Sequence, residues 1–354
     1  MPVLGWLAVV SLAVLLAPPL GAGEREVRVE STAAGIMLAG TLAVPDGPGP
    51  FSAVLLITGN GPHTRDQRIS DSPMFAMVGD HFVQRGMAVL RTDARGYGAS
   101  TGPSDWEQYT TADRVDDNRA VLAFLRAQPG VDPDRIVLLG HSEGAMIAAA
   151  LAATGGSPAL SILVSPSTMP GHVVFADQRA DELRRLGATE EAAAAVHAQL
   201  IRFADFLAHR RDDRAEFETI ANDFLAAHGV PRKDVDPAQA QGLLSGFLEA
   251  PWYWHFVATD PAEDLARIDT PVLAVFAGAD AQVPWRRHLP ALVDALSKRD
   301  DPDFSAVVVP DQDHFFLEFE GRRLETHEPG RMEVAEELFA VLDAELERRG
   351  LSNR

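Results

Sequence analysis

Cysteine is absent from the 354 residues. That excludes a disulfide framework, a thiolate metal site, a cysteine nucleophile and a cysteine-anchored lipoprotein. Positive charge is scarce: 31 basic residues face 51 acidic ones, for a formal net charge of −20. A surface this acidic repels phosphate backbones and anionic lipid headgroups, so no nucleic acid partner is expected. Its plain consequence is solubility. Metal-ligand spacing of the His-Glu-x-x-His kind is also missing, and neither metal nor cofactor is expected.

Long hydrophobic runs are missing too, with one exception. The first charged side chain is Glu24, and an apolar run precedes it from Leu4 to about Leu20, broken by Pro18-Pro19 and followed by small residues. This reads as a signal peptide over 1–23, cleaved near Ala22 or Gly23, although no Lys or Arg precedes the run. An uncleaved membrane anchor and a buried helix are the alternatives. Export, periplasmic or extracellular, follows from the first two. No other membrane association is expected.

What is present is a globular composition with 46% hydrophobic residues. Residues 26–31 (EVRVES) alternate with period two, and 36–44 (IMLAGTLAV) follow across a turn at Gly35, which predicts an antiparallel hairpin. The pattern then changes to short continuous apolar runs at 53–57, 87–91, 135–139, 160–164, 271–276 and 304–309. Continuous runs suit strands covered on both faces. Helical stretches near 71–85, 111–127, 143–153, 287–298 and 331–348 alternate with them. The predicted class is α/β, with a mostly parallel doubly wound sheet. Residues 169–260 contain no strand-like run and are rich in Ala, Glu, Arg and Leu. They are predicted as a helical cap dividing the core into 24–168 and 261–354.

Chemistry concentrates in RIVLLGHSEGAMIAAALAA, where Gly140-His141-Ser142-Glu143-Gly144 fits Gly-x-Ser-x-Gly between a strand and a helix. A tight strand-to-helix turn projects the serine above the sheet at a helix N-terminus, and the flanking glycines permit the turn. A hydroxyl needs a base and an orienting acid. Asp280 and His314 each follow a later strand, in the order serine, acid, histidine. The rivals fit less well. His141 adjoins the serine and would point away, His63 breaks the order, and His327 lies in a charged loop. Asp311 and Asp313 stand too close to His314 in sequence.

One oxyanion donor is expected to be the Glu143 N–H. The other is expected from the glycine-containing loop 57–66, at the Asn60 N–H with Gly61 as runner-up. Asp93 and Arg95, in LRTDARGYGASTG, read as scaffold that pairs together or bonds to backbone. Glu143 is expected either in solvent or in a salt bridge, with Arg65 or Arg95 as the suggested partner. Trp252, Tyr253, Trp254 and Phe256 suggest an apolar pocket, with Gly61, Trp252 and Trp254 as substrate contacts; cap-to-core packing explains the aromatics equally well.

GNGPHTRD, DARGYGASTG and GHSEGA together resemble the α/β-hydrolase superfamily over most of 25–350. More narrowly they resemble bacterial carboxylesterases and serine aminopeptidase-like (S33/S9-like) hydrolases, in which serine often stands at the position of Asn60. The resemblance implies acyl-enzyme chemistry by Ser142, His314 and Asp280. The expected substrate is a small-molecule carboxylic ester. The alternatives are a peptidase or aminopeptidase, an acyl-CoA thioesterase or acyltransferase, haloperoxidase-like chemistry, and a binding protein that keeps the fold. The oligomeric state is left open.

Overall fold

The computed structural model describes residues 23–227, 246–319, 322–323 and 332–352. The apolar N-terminal run and His327 therefore lie outside the described residues, as does part of the expected cap. No described helix is long and apolar enough to cross a membrane.

Eight strands form the central sheet: β1 (Gly23–Glu30), β2 (Met37–Val44), β3 (Phe51–Ile57), β4 (Ala88–Thr92), β5 (Val131–His141), β6 (Leu160–Val164), β7 (Val272–Ala277) and β8 (Phe304–Val309). Their order across the sheet is β1-β2-β4-β3-β5-β6-β7-β8. The predicted hairpin is present: β1 lies antiparallel to β2, with Val27 opposite Gly40 and Val29 opposite Leu38. On β1, Val27 and Val29 are buried and the other residues of the strand are exposed. From β4 to β8 every pairing is parallel.

The continuous apolar runs arise because each interior strand feeds two cores. On β3, Leu55 and Ile57 enter one core with Leu122 and Leu125 of α2 (Thr111–Arg126), Ile147 and Leu151 of α3 (Glu143–Leu151) and neighbouring helices. Val54 and Leu56 enter the other, with Phe75 and Phe82 of α1 (Met74–Gln84) and Leu338 and Leu342 of the helix Glu336–Arg348. The C-terminal helix begins at Glu336 rather than near 331, because the chain first forms a short strand at Glu333–Val334. Small strands there and at Arg68–Ile69 and Ser72–Pro73 escaped the sequence reading, being too short to show a period.

Between β6 and β7 the described residues are helical: α4 (Gly171–Arg185), α5 (Glu190–His209), α6 (Arg214–Ala227), α7 (Pro251–Ala258) and α8 (Pro261–Arg267). α4 to α7 enclose a third core that includes Phe203, Phe206, Trp252 and Phe256. Met146 of α3 inserts into it and so joins cap to sheet. The cap leaves and re-enters the core at one place, where the Gly171 N–H donates to the Thr259 carbonyl at 2.9 Å.

Candidate active site

β5 ends at His141 and α3 begins at Glu143, which leaves Ser142 alone in the turn. Ser142 has φ 56° and ψ −120°, a left-handed backbone that side chains other than glycine rarely adopt. Its N–H donates to the Val164 carbonyl at 2.9 Å, anchoring the strained turn to β6. The flanking glycines are required by crowding. A Cβ on Gly140 would lie 2.0 Å from the Gly144 carbonyl oxygen, and one on Gly144 would lie 2.1 Å from that of Ile57.

The loops after β7 and β8 bring Asp280 and His314 together. His314 Nδ1 lies 2.7 Å from Asp280 Oδ2, and both residues are buried. Asp280 Oδ1 accepts the N–H groups of Gln282 and Val283 at 2.7 and 2.8 Å. Burial pushes the Asp280 carboxyl up, but the His314 ring and these hydrogen bonds outweigh it and hold the group below its ordinary value. Asp280 is thus an ionised acceptor, and His314 Nδ1 carries the proton toward it. Asp313, set aside for its nearness in sequence, accepts the Phe315 N–H in its own turn, and burial raises its carboxyl.

A second network joins this pair to the serine and to the loop after β3. His141 is 1% exposed, and its Nε2 lies 2.8 Å from the His314 carbonyl oxygen. Because a carbonyl only accepts, Nε2 carries the proton, and Nδ1 accepts from Gln67 Nε2 at 2.9 Å. Gln67 Oε1 in turn accepts the Gly59 N–H at 2.7 Å. Burial, followed by the His314 ring, lowers the His141 pKa to about 3, so the ring is neutral. His141 turns its side chain away from solvent, into the scaffold beneath the serine.

The Gly59 N–H is consumed by Gln67, whereas the Asn60 N–H has no hydrogen-bond partner among the described residues. A Cβ on Gly59 would come within 3.4 Å of the Ser142 Cβ, so this loop passes directly over the serine. The Glu143 N–H lies in the first turn of α3, where amides have no intrahelical acceptor. Gly61 has φ 111°, a conformation that favours glycine. His63, beyond it, is kept neutral: burial, followed by Arg114, lowers its pKa to about 4.

The suggested partners of the charged residues are corrected. Glu143 pairs with neither Arg65 nor Arg95. Its Oε2 accepts from Arg114 Nη1 at 2.7 Å, and its Oε1 accepts from Trp252 Nε1 at 2.9 Å and from the Thr111 hydroxyl at 2.5 Å. Asp93 and Arg95 do not pair together, but the backbone alternative holds: Asp93 accepts the N–H groups of Arg65 and Ala99 at 2.8 and 2.9 Å. Asp93 holds Arg65 through two side-chain contacts, at 3.1 and 2.8 Å, while Arg95 holds Asp117 at 2.9 and 2.8 Å. Both remain scaffold, because each stiffens the loop 93–102 against a neighbouring element. Arg114, Thr111 and Gln67 belong to none of the three motifs. The only sequence signal for Arg114 and Thr111 is the dense polar start of α2 at Thr110-Thr111-Ala112-Asp113-Arg114.

The two tryptophans are placed differently. Trp252 is 7% exposed, stacked on Phe256 at 4.8 Å and bonded to Glu143. Trp254 lies under the Arg211 guanidinium, 4.5 Å from its ring centre, within the cap.

Comparison with known proteins gives this arrangement a family. Residues 34–315 match the X-Pro dipeptidyl-peptidase (S15) family. Esterase EstD of Thermotoga maritima is 23% identical over 285 residues, 80% of this chain. The chain spans 59% of that relative's length. An uncharacterised Mycobacterium tuberculosis protein, Rv2307c, is 33% identical over 60% of this chain and 69% of its own. Among solved structures, proline iminopeptidase of Mycobacterium smegmatis superposes with a TM-score of 0.53 at 19% identity, covering 92% of this chain and 99% of its own. A thermophilic esterase of Thermogutta terrifontis gives 0.51 at 20%, covering 93% and 100%. The fold is that of the α/β hydrolases, as the three motifs imply, and the family model that matches is S15. With an α/β-hydrolase sheet, a strained serine turn and a family match across most of its length, this chain belongs to the X-Pro dipeptidyl-peptidase (S15) family and is a hydrolase of the α/β-hydrolase type.

Proposed function

We propose that the chain is an exported serine carboxylesterase working through an acyl-enzyme. The observation that carries this reading is the buried Asp280–His314 pair at 2.7 Å, tied through His141 to the turn that holds Ser142. Ser142 Oγ attacks the ester carbonyl while His314 Nε2 takes its proton. Asp280 keeps the His314 proton on Nδ1 and stabilises the imidazolium. The N–H groups of Asn60 and Glu143 hold the oxyanion. His314 then returns the proton to the departing alkoxide. Water, activated by the same ring, cleaves the acyl-enzyme to acid and free serine.

A peptidase is the second reading, favoured by the family's name. An exopeptidase needs a free charge to anchor the substrate terminus. Among the described residues Glu143 is engaged with Arg114 and Asp280 with His314, so neither is free to anchor a terminus. That supports the ester, as does EstD, an esterase by name. Export rests on the apolar run before Glu24.

The test is hydrolysis of p-nitrophenyl esters of rising acyl length beside aminoacyl and X-Pro p-nitroanilides, with wild type and Ser142→Ala. Ester turnover lost in the variant supports the reading. Turnover of anilides alone replaces it with the peptidase, and full activity in Ser142→Ala refutes the mechanism.

A further inference from the structure

Arg114 and Glu143 form an ion pair at 2.7 Å, with their side chains 8% and 4% exposed. Burying two charges is costly, and a well-packed apolar pair is often as stable. The pair therefore calls for an explanation other than stability, and its connections supply one.

Each end reaches a different wall of the site. Glu143 directly follows Ser142. Arg114 Nη2 donates to the Thr58 carbonyl at 2.7 Å and to its hydroxyl at 3.1 Å. Thr58 stands two residues before Asn60, on the loop that passes over the serine. One guanidinium–carboxylate unit thus spans the two backbone segments whose N–H groups face the developing oxyanion. Its charge matters as well. An unpaired Glu143 carboxylate beside that oxygen would oppose negative charge there, and Arg114 neutralises it. The third connection comes from the cap: Trp252 Nε1 donates to the same carboxylate at 2.9 Å, from a ring packed in the cap core.

We propose that Arg114 is a positioning residue that fixes the spacing of the two oxyanion donors, and that Trp252 couples this spacing to the seating of the cap. The proposal rests on the acyl-enzyme reading above. In a rigid site such preorganisation acts only where charge develops, so it lowers the barrier without tightening the ground state.

The test uses the full chain with Arg114→Lys, which keeps charge and loses the fork, and Trp252→Phe, which keeps the ring and loses the N–H. Ester kcat and KM, affinity for a trifluoromethyl ketone and the rate of Ser142 labelling by a fluorophosphonate are measured. Arg114→Lys should lower kcat by about 10- to 100-fold and Trp252→Phe by about threefold or more, with KM nearly unchanged. Ketone affinity should fall by the same factor as kcat/KM, which simple loss of packing would not produce. Should Arg114→Lys fail to fold, the double variant Arg114→Met/Glu143→Leu leaves no unpaired buried charge and should fold with kcat lowered similarly. Folded variants with wild-type kcat, or lowered kcat with unchanged ketone affinity, overturn the proposal. A wild-type chain that takes no fluorophosphonate overturns the acyl-enzyme reading itself, and the proposal with it.

Discussion

Asp280 uses its two oxygens separately. Oδ2 meets His314, while Oδ1 is held by two backbone N–H groups of its own turn. An Asn side chain can keep Oδ1 as the acceptor, but it then turns an NH2 toward His314 Nδ1 and reverses the tautomer. Asp280→Asn should therefore fold normally and lose up to about four orders of magnitude in kcat. Near-UV circular dichroism beside ester kinetics checks both halves. A modest loss of activity would mean that Asp280 does not orient the base.

At the scale of elements, the serine turn depends on how closely β3, β5 and α3 approach. A methyl at Gly144 would meet the Ile57 and Thr58 carbonyl oxygens at 2.1 and 2.6 Å, and both belong to backbone that cannot yield. Gly144→Ala should push α3 off β3, abolish fluorophosphonate labelling of Ser142 and lower Tm by more than about 5 °C. A labelled, thermally unchanged variant would contradict the crowding. Elements of this kind were legible in the sequence because the signals are local. A strand fed by two cores shows a continuous apolar run, and a glycine-flanked serine between strand and helix shows its turn. The partners of Glu143 were not legible. Arg114 is 29 residues away and Trp252 109, each on a separate helix, and the polar start of α2 marks Arg114 as polar without saying which carboxylate it meets. For the same reason Gln67, which reaches His141 across 74 residues, gave no signal.

For the molecule as a whole, burial of neutral histidine sets the acid limit. His141 is lowered to about 3, and His63 and His288 to about 4, each chiefly by burial, against 6.5 when free. Above pH 6.5 neither state binds these protons, and the histidine contribution to stability is complete. Between about 6.5 and 4 the unfolded chain takes up protons that the folded chain refuses, so stability falls as pH falls, with a slope approaching three protons. Below the folded values both states are protonated and this contribution is gone. Urea unfolding at pH 7, 6, 5 and 4 should show the loss, and His288→Gln should reduce the slope by about one proton. A flat profile would mean that these rings charge freely in the fold.

The single hydrogen bond between Gly171 and Thr259 closes the neck of the cap. A segment that departs and returns at one stem can be exchanged without rethreading the sheet, because both of its ends meet there. The crowding at the stem sets the terms: a side chain at Gly171 would strike the Phe256 carbonyl, 1.8 Å away. A transplanted cap therefore needs a glycine where it begins, a helix end where it finishes, a donor to the Glu143 carboxylate in the place of Trp252 and a seat for Met146. The stem thus lets the cap vary while the sheet and its serine turn keep their threading.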